Sequence, residues 1–197
     1  MKIYLFSATH WDREWYQPFQ AFRMRLVGMM DRMIETLETD KNFGVFHMDG
    51  QTVVLEDYLE IKPENKGRIE ALIKSGKLVV GPWYVMPDEL LLSGESYIKN
   101  LKKGFSISRD FGAEPMKFGY LCDMFGHCAQ MPQILKEMGI DLFSIKPGKI
   151  YQQTLLQQNG NKILCAFDYV APQEKTSLFF CKAEKTVVKG EWDVNEV

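Results

Sequence analysis

No run in this sequence approaches the roughly 20 apolar residues that a membrane-spanning helix requires, so no such span is expected. The formal net charge is only -2. That offers no field to draw nucleic acid or an anionic membrane, and neither is expected as a partner. Histidine is scarce: His10, His47 and His127 are the three in 197 residues. The four cysteines, Cys122, Cys128, Cys165 and Cys181, form no CxxC pair. They indicate neither a disulfide framework nor a zinc ribbon, and they read as reduced thiols. The first ten residues lack a basic leader and a small-residue cleavage site. A cytoplasmic protein is therefore expected. Internal repeats and low-complexity linkers are also missing.

What is present is an ordinary globular balance, 46% hydrophobic and 25% charged. The length suggests one domain with a sizeable core. Lys2–Ser7 is a short apolar run of the kind that forms a buried parallel strand. Phe22, Leu26, Met29, Met30, Met33 and Leu37 recur at helical spacing, so an amphipathic helix packs this methionine run into the core. Phe43–Met48 reads as a second strand, followed by helices around Val54–Ile61 and Glu64–Lys74. Lys77–Tyr84 reads as a third strand. Ser93 is a suitable N-cap for a helix reaching Phe111, with Ile98, Leu101 and Phe105 on one face. Lys117–Cys122 is a fourth strand, Pro132–Met138 a helix, and Leu142–Ile145 a fifth strand.

Strands thus alternate with helices. The expected fold is α/β, a parallel sheet either open or closed into a barrel. The pattern changes after Pro147, where Ile163–Val170, Ser177–Lys182 and Thr186–Lys189 resemble short strands. Residues 1–150 are read as one part of the domain and 151–197 as its continuation.

Polar residues gather where the strands end: His10 and Asp12, His47 and Asp49, Trp83 and Tyr84, and Asp123. Parallel α/β folds build their sites on that side. His10 and Asp12 are two residues apart, so an extended chain points both the same way. An imidazole and a carboxylate so placed suit Zn²⁺, although a hydrogen-bonded loop histidine is the simpler reading of that pair alone. Asp123 closes an apolar strand, where a carboxylate needs a partner, either a metal or a hydrogen-bonded turn. His47 reads as structural rather than as a ligand. Asp49, Asp88 and Glu89 are open between contacting sugar hydroxyls and shaping loops. Cys122 and Cys128 read as small core residues.

Six motifs in order carry a resemblance. His10-Trp11-Asp12-Arg13-Glu14-Trp15-Tyr16, His47-Met48-Asp49-Gly50-Gln51-Thr52 and Gly81-Pro82-Trp83-Tyr84 through Glu89 are the first three. Ser93-Gly94-Glu95-Ser96, Gly119-Tyr120 with Asp123-Met124-Phe125-Gly126-His127, and Gln130-Met131-Pro132 follow. Together they resemble glycoside hydrolase family 38, the α-mannosidases, whose bacterial members include mannosylglycerate hydrolases. The resemblance implies a zinc-dependent retaining enzyme in a β/α barrel, incomplete here against an expected seven strands. It implies His10, Asp12 and Asp123 as zinc ligands and Asp123 as the nucleophile. It implies Trp15 and Phe125 as sugar-packing aromatics and an α-mannoside as substrate. His127 is expected to brace the loop that presents Asp123.

Three departures accompany the match. No histidine corresponds to the family's late fourth ligand. The family's general acid/base has no counterpart in this sequence. Pro147, beside Lys146, stands where the family places an arginine. These features lead to the expectation of an N-terminal fragment, inactive alone and prone to self-associate through an open sheet edge. Two other classes compete: a degenerate, non-catalytic sugar- or metal-binding module, and a zinc deacetylase acting on polysaccharide.

Overall fold

The computed structural model describes residues 7–140, 142–145 and 164–167. Six short strands and five α-helices alternate in it: β1 Ser7–Ala8, α1 Phe19–Thr39, β2 Phe46–His47, α2 Val53–Leu59, α3 Lys66–Lys74, β3 Leu78–Val79, α4 Gly94–Asp110, β4 Phe118–Gly119, α5 Met131–Glu137, β5 Leu142–Ile145 and β6 Leu164–Phe167. A single 3₁₀ turn, Pro63–Asn65, leads into α3.

All the pairings are parallel. β1, β2 and β3 form one sheet, with Ser7 opposite Phe46 and Phe46 opposite Leu78. β4, β5 and β6 form a second, with Phe118 opposite Leu142 and Leu142 opposite Leu164. The α/β class and the alternation expected from sequence are therefore present. The described residues make two three-stranded sheets rather than a closed, seven-stranded barrel. β2, β3 and β4 are shorter than the apolar runs that announced them, and residues 2–6 of the first run lie outside the described residues. Apolar runs mark burial, and ladder pairing needs two neighbouring backbones in register over the same residues. The strand-like runs near residues 177–182 and 186–189, Lys146 and Pro147 lie outside the described residues, as does the boundary at 150.

Helix α1 buries the stripe the spacing indicated. Leu26, Met30, Met33 and Leu37 pack with Val54, Leu55 and Tyr58 of α2 and Ile69 and Ile73 of α3, Met29 is half-buried beside them, and buried Phe22 packs edge-on to Trp11 and Tyr16. Helix α4 starts where expected: Ser93 Oγ accepts from Ser96 N at 3.3 Å. Its inward face is Tyr97, Leu101, Gly104, Phe105 and Ser108. Ile98 is exposed, contrary to its expected place on that face. One residue past Tyr97 is about 100° further round a helix, which turns Ile98 outward.

Gly104 has a steric reason. A Cβ there would meet Pro82 O at 2.2 Å and the Trp83 carbonyl carbon at 2.5 Å. The helix can approach the end of the third strand segment only without a side chain at this point. Asn100, one turn earlier, ties that segment down. Its Oδ1 accepts from Tyr84 N at 2.8 Å and Val85 N at 3.1 Å, and its Nδ2 donates to Val85 O at 2.6 Å. The amide thus stands in for a neighbouring strand.

The two sheets meet through the residues that follow β2, β3 and β4. Trp83 is fully buried and its Nε1 donates to Tyr120 O at 3.0 Å. The Tyr120 ring stands edge-on to His47, with centroids 4.7 Å apart. These contacts bring the C-terminal ends of strands from both sheets to one side of the molecule.

Candidate metal centre

His10 and Asp12 follow β1, Asp49 follows β2, and Cys122 and Asp123 follow β4. Parallel pairing places these ends together. His10 Nε2 lies 3.4 Å from Asp12 Oδ1 and 3.6 Å from Asp123 Oδ2. The three residues are one of two groups of His, Cys, Asp or Glu among the described residues that could hold a metal ion. Zinc bonds of about 2.0–2.2 Å at tetrahedral angles set neighbouring donors about 3.3–3.5 Å apart. The two distances from Nε2 are close to that spacing, so this donor set fits the ion. The three side chains are 34%, 42% and 41% exposed, which leaves the centre open to an incoming oxygen ligand.

The other face of the His10 ring is held from below. Nδ1 lies 3.1 Å from Asp49 Oδ2. Asp49 is fully buried and also accepts from Trp11 N at 2.7 Å and Gln51 Nε2 at 2.8 Å. Gln51 donates again to Trp11 O at 2.9 Å, and its Oε1 accepts from Met86 N at 3.0 Å. Asp49 has φ 49° and Gly50 has φ 66°. This left-handed turn, uncommon for a residue with a side chain, aims the carboxylate at the ring. With Nδ1–H donated to Asp49, the Nε2 proton is the one an incoming ion displaces, and its loss turns that lone pair toward Asp12 and Asp123.

The hydrogen bond to Asp49, assisted by one with Cys122, raises the His10 pKa to about 11 against the opposing effect of burial. The raised value means that the metal-free ring keeps a proton across the neutral range. The associated folding stability is fully present below the ordinary histidine value of 6.5 and is lost as pH rises through about 11.

Two further features were not legible in the sequence. Asp49 and Gln51 fall inside a recognised motif, yet nothing local assigns Asp49 to the His10 ring. Cys122, read as a small core residue, places its Sγ 3.2 Å from His10 Nδ1 and 3.4 Å from Asp49 Oδ1. Cys122 and Cys128 are free thiols.

The loop carrying Asp123 is joined to the loop after Pro87. Glu89 is buried, and its carboxylate accepts from His127 Nδ1 at 2.8 Å and Cys128 N at 2.6 Å. Its backbone oxygen accepts from Tyr97 Oη. Between the sugar-contact and loop-shaping alternatives, Glu89 thus has the contacts of a loop-shaping residue. Trp15 and Phe125 are 71% and 77% exposed, so both present aromatic surface to solvent.

His47 stands apart from both metal-capable groups. It is buried, and burial lowers its pKa to about 4. A lowered histidine pKa means that the unfolded chain binds the proton more readily. Stability should therefore fall as pH drops from 6.5 toward 4, by about 3 kcal/mol in total. Urea unfolding midpoints at pH 7 and pH 4.5 check this against His47→Gln, in which this contribution disappears. An equal acid loss in both proteins would refute it.

Among the described residues, no helix is long and apolar enough to cross a membrane. Residues 1–186 match the model of the glycosyl hydrolases family 38 N-terminal domain. A Halalkalibacterium halodurans protein provisionally named a mannosylglycerate hydrolase is 45% identical over 137 residues, covering 70% of this chain and 15% of that protein. Alpha-mannosidase G of Dictyostelium discoideum is 36% identical over 146 residues, covering 72% of this chain and 13% of its own length. The crystal structure of an alpha-mannosidase from Enterococcus faecalis V583 superposes with a TM-score of 0.71 at 38% identity, over 73% of this chain and 16% of that one. The chain thus spans about one seventh of the length of the curated relatives it matches.

Proposed function

The chain belongs to glycoside hydrolase family 38, and on that premise we propose that it supplies the nucleophile and three zinc ligands of a retaining α-mannosidase. The observation that carries this reading is the convergence of Asp12 and Asp123 on His10 Nε2, at 3.4 and 3.6 Å. His10, Asp12 and Asp123 would hold the ion, and zinc bound there supplies Lewis-acid polarisation of neighbouring sugar hydroxyls.

The residues of the chain then divide the work. Asp123 attacks the anomeric carbon as the bond to the leaving oxygen breaks, and a glycosyl ester forms on its carboxylate. Water later cleaves that ester, so two inversions leave the anomeric configuration unchanged. Trp15 and Phe125 offer flat apolar faces to the C–H face of a pyranose. Glu89, through His127 and Cys128 N, keeps the Asp123 loop in place. Asp49 orients the His10 ring.

The other two histidines do not complete the ion's cage, because His47 is packed against Tyr120 and His127 is bonded to Glu89. The fourth position is left for a substrate or water oxygen, or for a donor from outside the described residues. A proton donor for the leaving oxygen is likewise not among the residues assigned here. Such donors contribute about 10²–10⁴-fold, so the 197-residue chain by itself is expected to turn over little.

Equilibrium dialysis tests the proposal. The chain should take up one zinc ion, and mannose should compete with a spectroscopic probe at the same centre. Failure to bind either zinc or mannose would sink the reading. Binding of both without turnover, even in a catalytic domain of full family length, would favour a non-catalytic binding module.

A further inference from the structure

The second metal-capable group does not resemble the first in its chemistry. It uses the opposite nitrogen of His10, a carboxylate of Asp49 and the thiol of Cys122. Sγ of Cys122 lies 3.2 Å from His10 Nδ1 and 3.4 Å from Asp49 Oδ1, and Nδ1 lies 3.3 Å from the same Oδ1. A fourth donor is adjacent: Met86 Sδ is 4.0 Å from Cys122 Sγ. Bonds of about 2.3 Å to sulfur and about 2.0–2.2 Å to nitrogen and oxygen would set tetrahedral donors about 3.3–3.8 Å apart. The four donors follow four different strands; His10 Nδ1, Asp49 Oδ1 and Cys122 Sγ fall near that spacing, and Met86 Sδ lies just beyond it from Cys122.

Softness separates the two sets. His10 Nε2, Asp12 and Asp123 offer one nitrogen and carboxylate oxygens. Cys122, Met86, His10 Nδ1 and Asp49 offer a thiol, a thioether, one nitrogen and one oxygen. Thiolate and thioether select thiophilic cations over the hard or borderline ions that carboxylates favour. Asp49 is fully buried beneath the ring, whereas Cys122 is half-buried and the His10 side chain is 34% exposed. A cation can therefore reach the sulfur from the open side.

We propose that Cys122, Met86, His10 Nδ1 and Asp49 form a second cation site, selective for thiophilic ions, that shares the His10 ring with the Nε2 set. On binding, the Cys122 thiol proton and the His10 Nδ1 proton both pass to solvent, and Cys122 coordinates as thiolate while Nδ1 coordinates through its freed lone pair. The ring then turns its Nδ1 lone pair to the soft ion instead of donating Nδ1–H to Asp49. The orientation that points the Nε2 lone pair at Asp12 and Asp123 is lost, so a thiophilic ion displaces the occupant of the first set. This site needs no zinc on the Nε2 side, so its failure would leave the family assignment and the mannosidase reading intact.

Cadmium alone is the probe. It is titrated into metal-free chain in which Cys128, Cys165 and Cys181 are serine, leaving Cys122 as the sole thiol, and is followed by sulfur-to-cadmium charge-transfer absorption. One band should saturate at one cadmium per chain, with His10→Gln and Met86→Leu each weakening affinity about tenfold or more. Saturation at one cadmium per two chains, or unchanged affinity in both variants, would mean that the thiol acts without this site. Cadmium-113 NMR of the chain with all its cysteines guards against poor folding of the serine variant. A resonance typical of mixed sulfur, nitrogen and oxygen donors should be present and should vanish in Cys122→Ser. Its persistence in that variant, or a spectrum holding only oxygen- and nitrogen-type resonances, overturns the proposal.

Discussion

Replacing Asp123 by Ala should lower aryl α-mannoside turnover by about 10³-fold or more, equivalent to about 4 kcal/mol of barrier. The measurement belongs in a catalytic domain of the relatives' length that carries this segment. Two losses are combined in that variant, because Asp123 is one of three converging donors and is also the proposed nucleophile. They can be separated. Asp12→Ala removes a donor but leaves the Asp123 carboxylate, so its activity should recover as zinc is raised. Asp123→Ala should not recover with zinc. Azide, small enough to occupy the space of the lost carboxylate, should restore part of its turnover and yield the β-mannosyl azide. One displacement in place of two inverts the anomeric centre. Normal turnover in Asp123→Ala, or azide rescue of Asp12→Ala instead, would reassign the nucleophile.

Asp49→Asn should weaken zinc binding by about 10–100-fold without unfolding the chain. Asp49 is not among the Nε2-side donors, so the loss acts through His10. The buried carboxylate accepts from the ring, from Trp11 N and from Gln51 Nε2. An amide there keeps the shape but can present its NH₂ to one of these donors and removes the negative charge. That charge strengthens the ring as a base toward a proton and, more strongly, toward a divalent ion. Because the metal-free ring holds a proton up to about pH 11, zinc must displace it. Affinity in the unaltered chain should then climb about tenfold per pH unit between pH 6 and 8. Isothermal titration in buffers of different ionisation enthalpy counts the released proton. A pH-independent affinity would remove His10 from the ligand set, and wild-type affinity in Asp49→Asn would remove the orienting role.

The parts of the site legible in the sequence were those whose placement is local. His10 and Asp12 are two residues apart at the end of an apolar run, and Asp123 closes another. Parallel α/β architecture sends such ends to one side, so their meeting could be expected before any coordinates. The methionine stripe of α1 and the Ser93 cap were legible for the same reason, because periodicity and capping are set within a few residues. Ile98 shows the limit. Ile98 stands at helical spacing from Leu101 and Phe105 and reads as inward, yet the buried face runs through Tyr97, Leu101, Gly104 and Ser108 and leaves it exposed.

Sequence by itself thus indicated the family, through short motifs, and the α/β alternation, through apolar periodicity, and the resemblance named the three candidate ligands. Tertiary structure decided what surrounds them. Asp49 reaches the His10 ring from 39 residues away, through a left-handed turn. Cys122 reaches it from 112 residues away, and Glu89 holds the Asp123 loop through His127, 38 residues on. No local pattern encodes those distances. They follow from the parallel register of separate strands, which brings groups remote in the chain within bonding range of one imidazole.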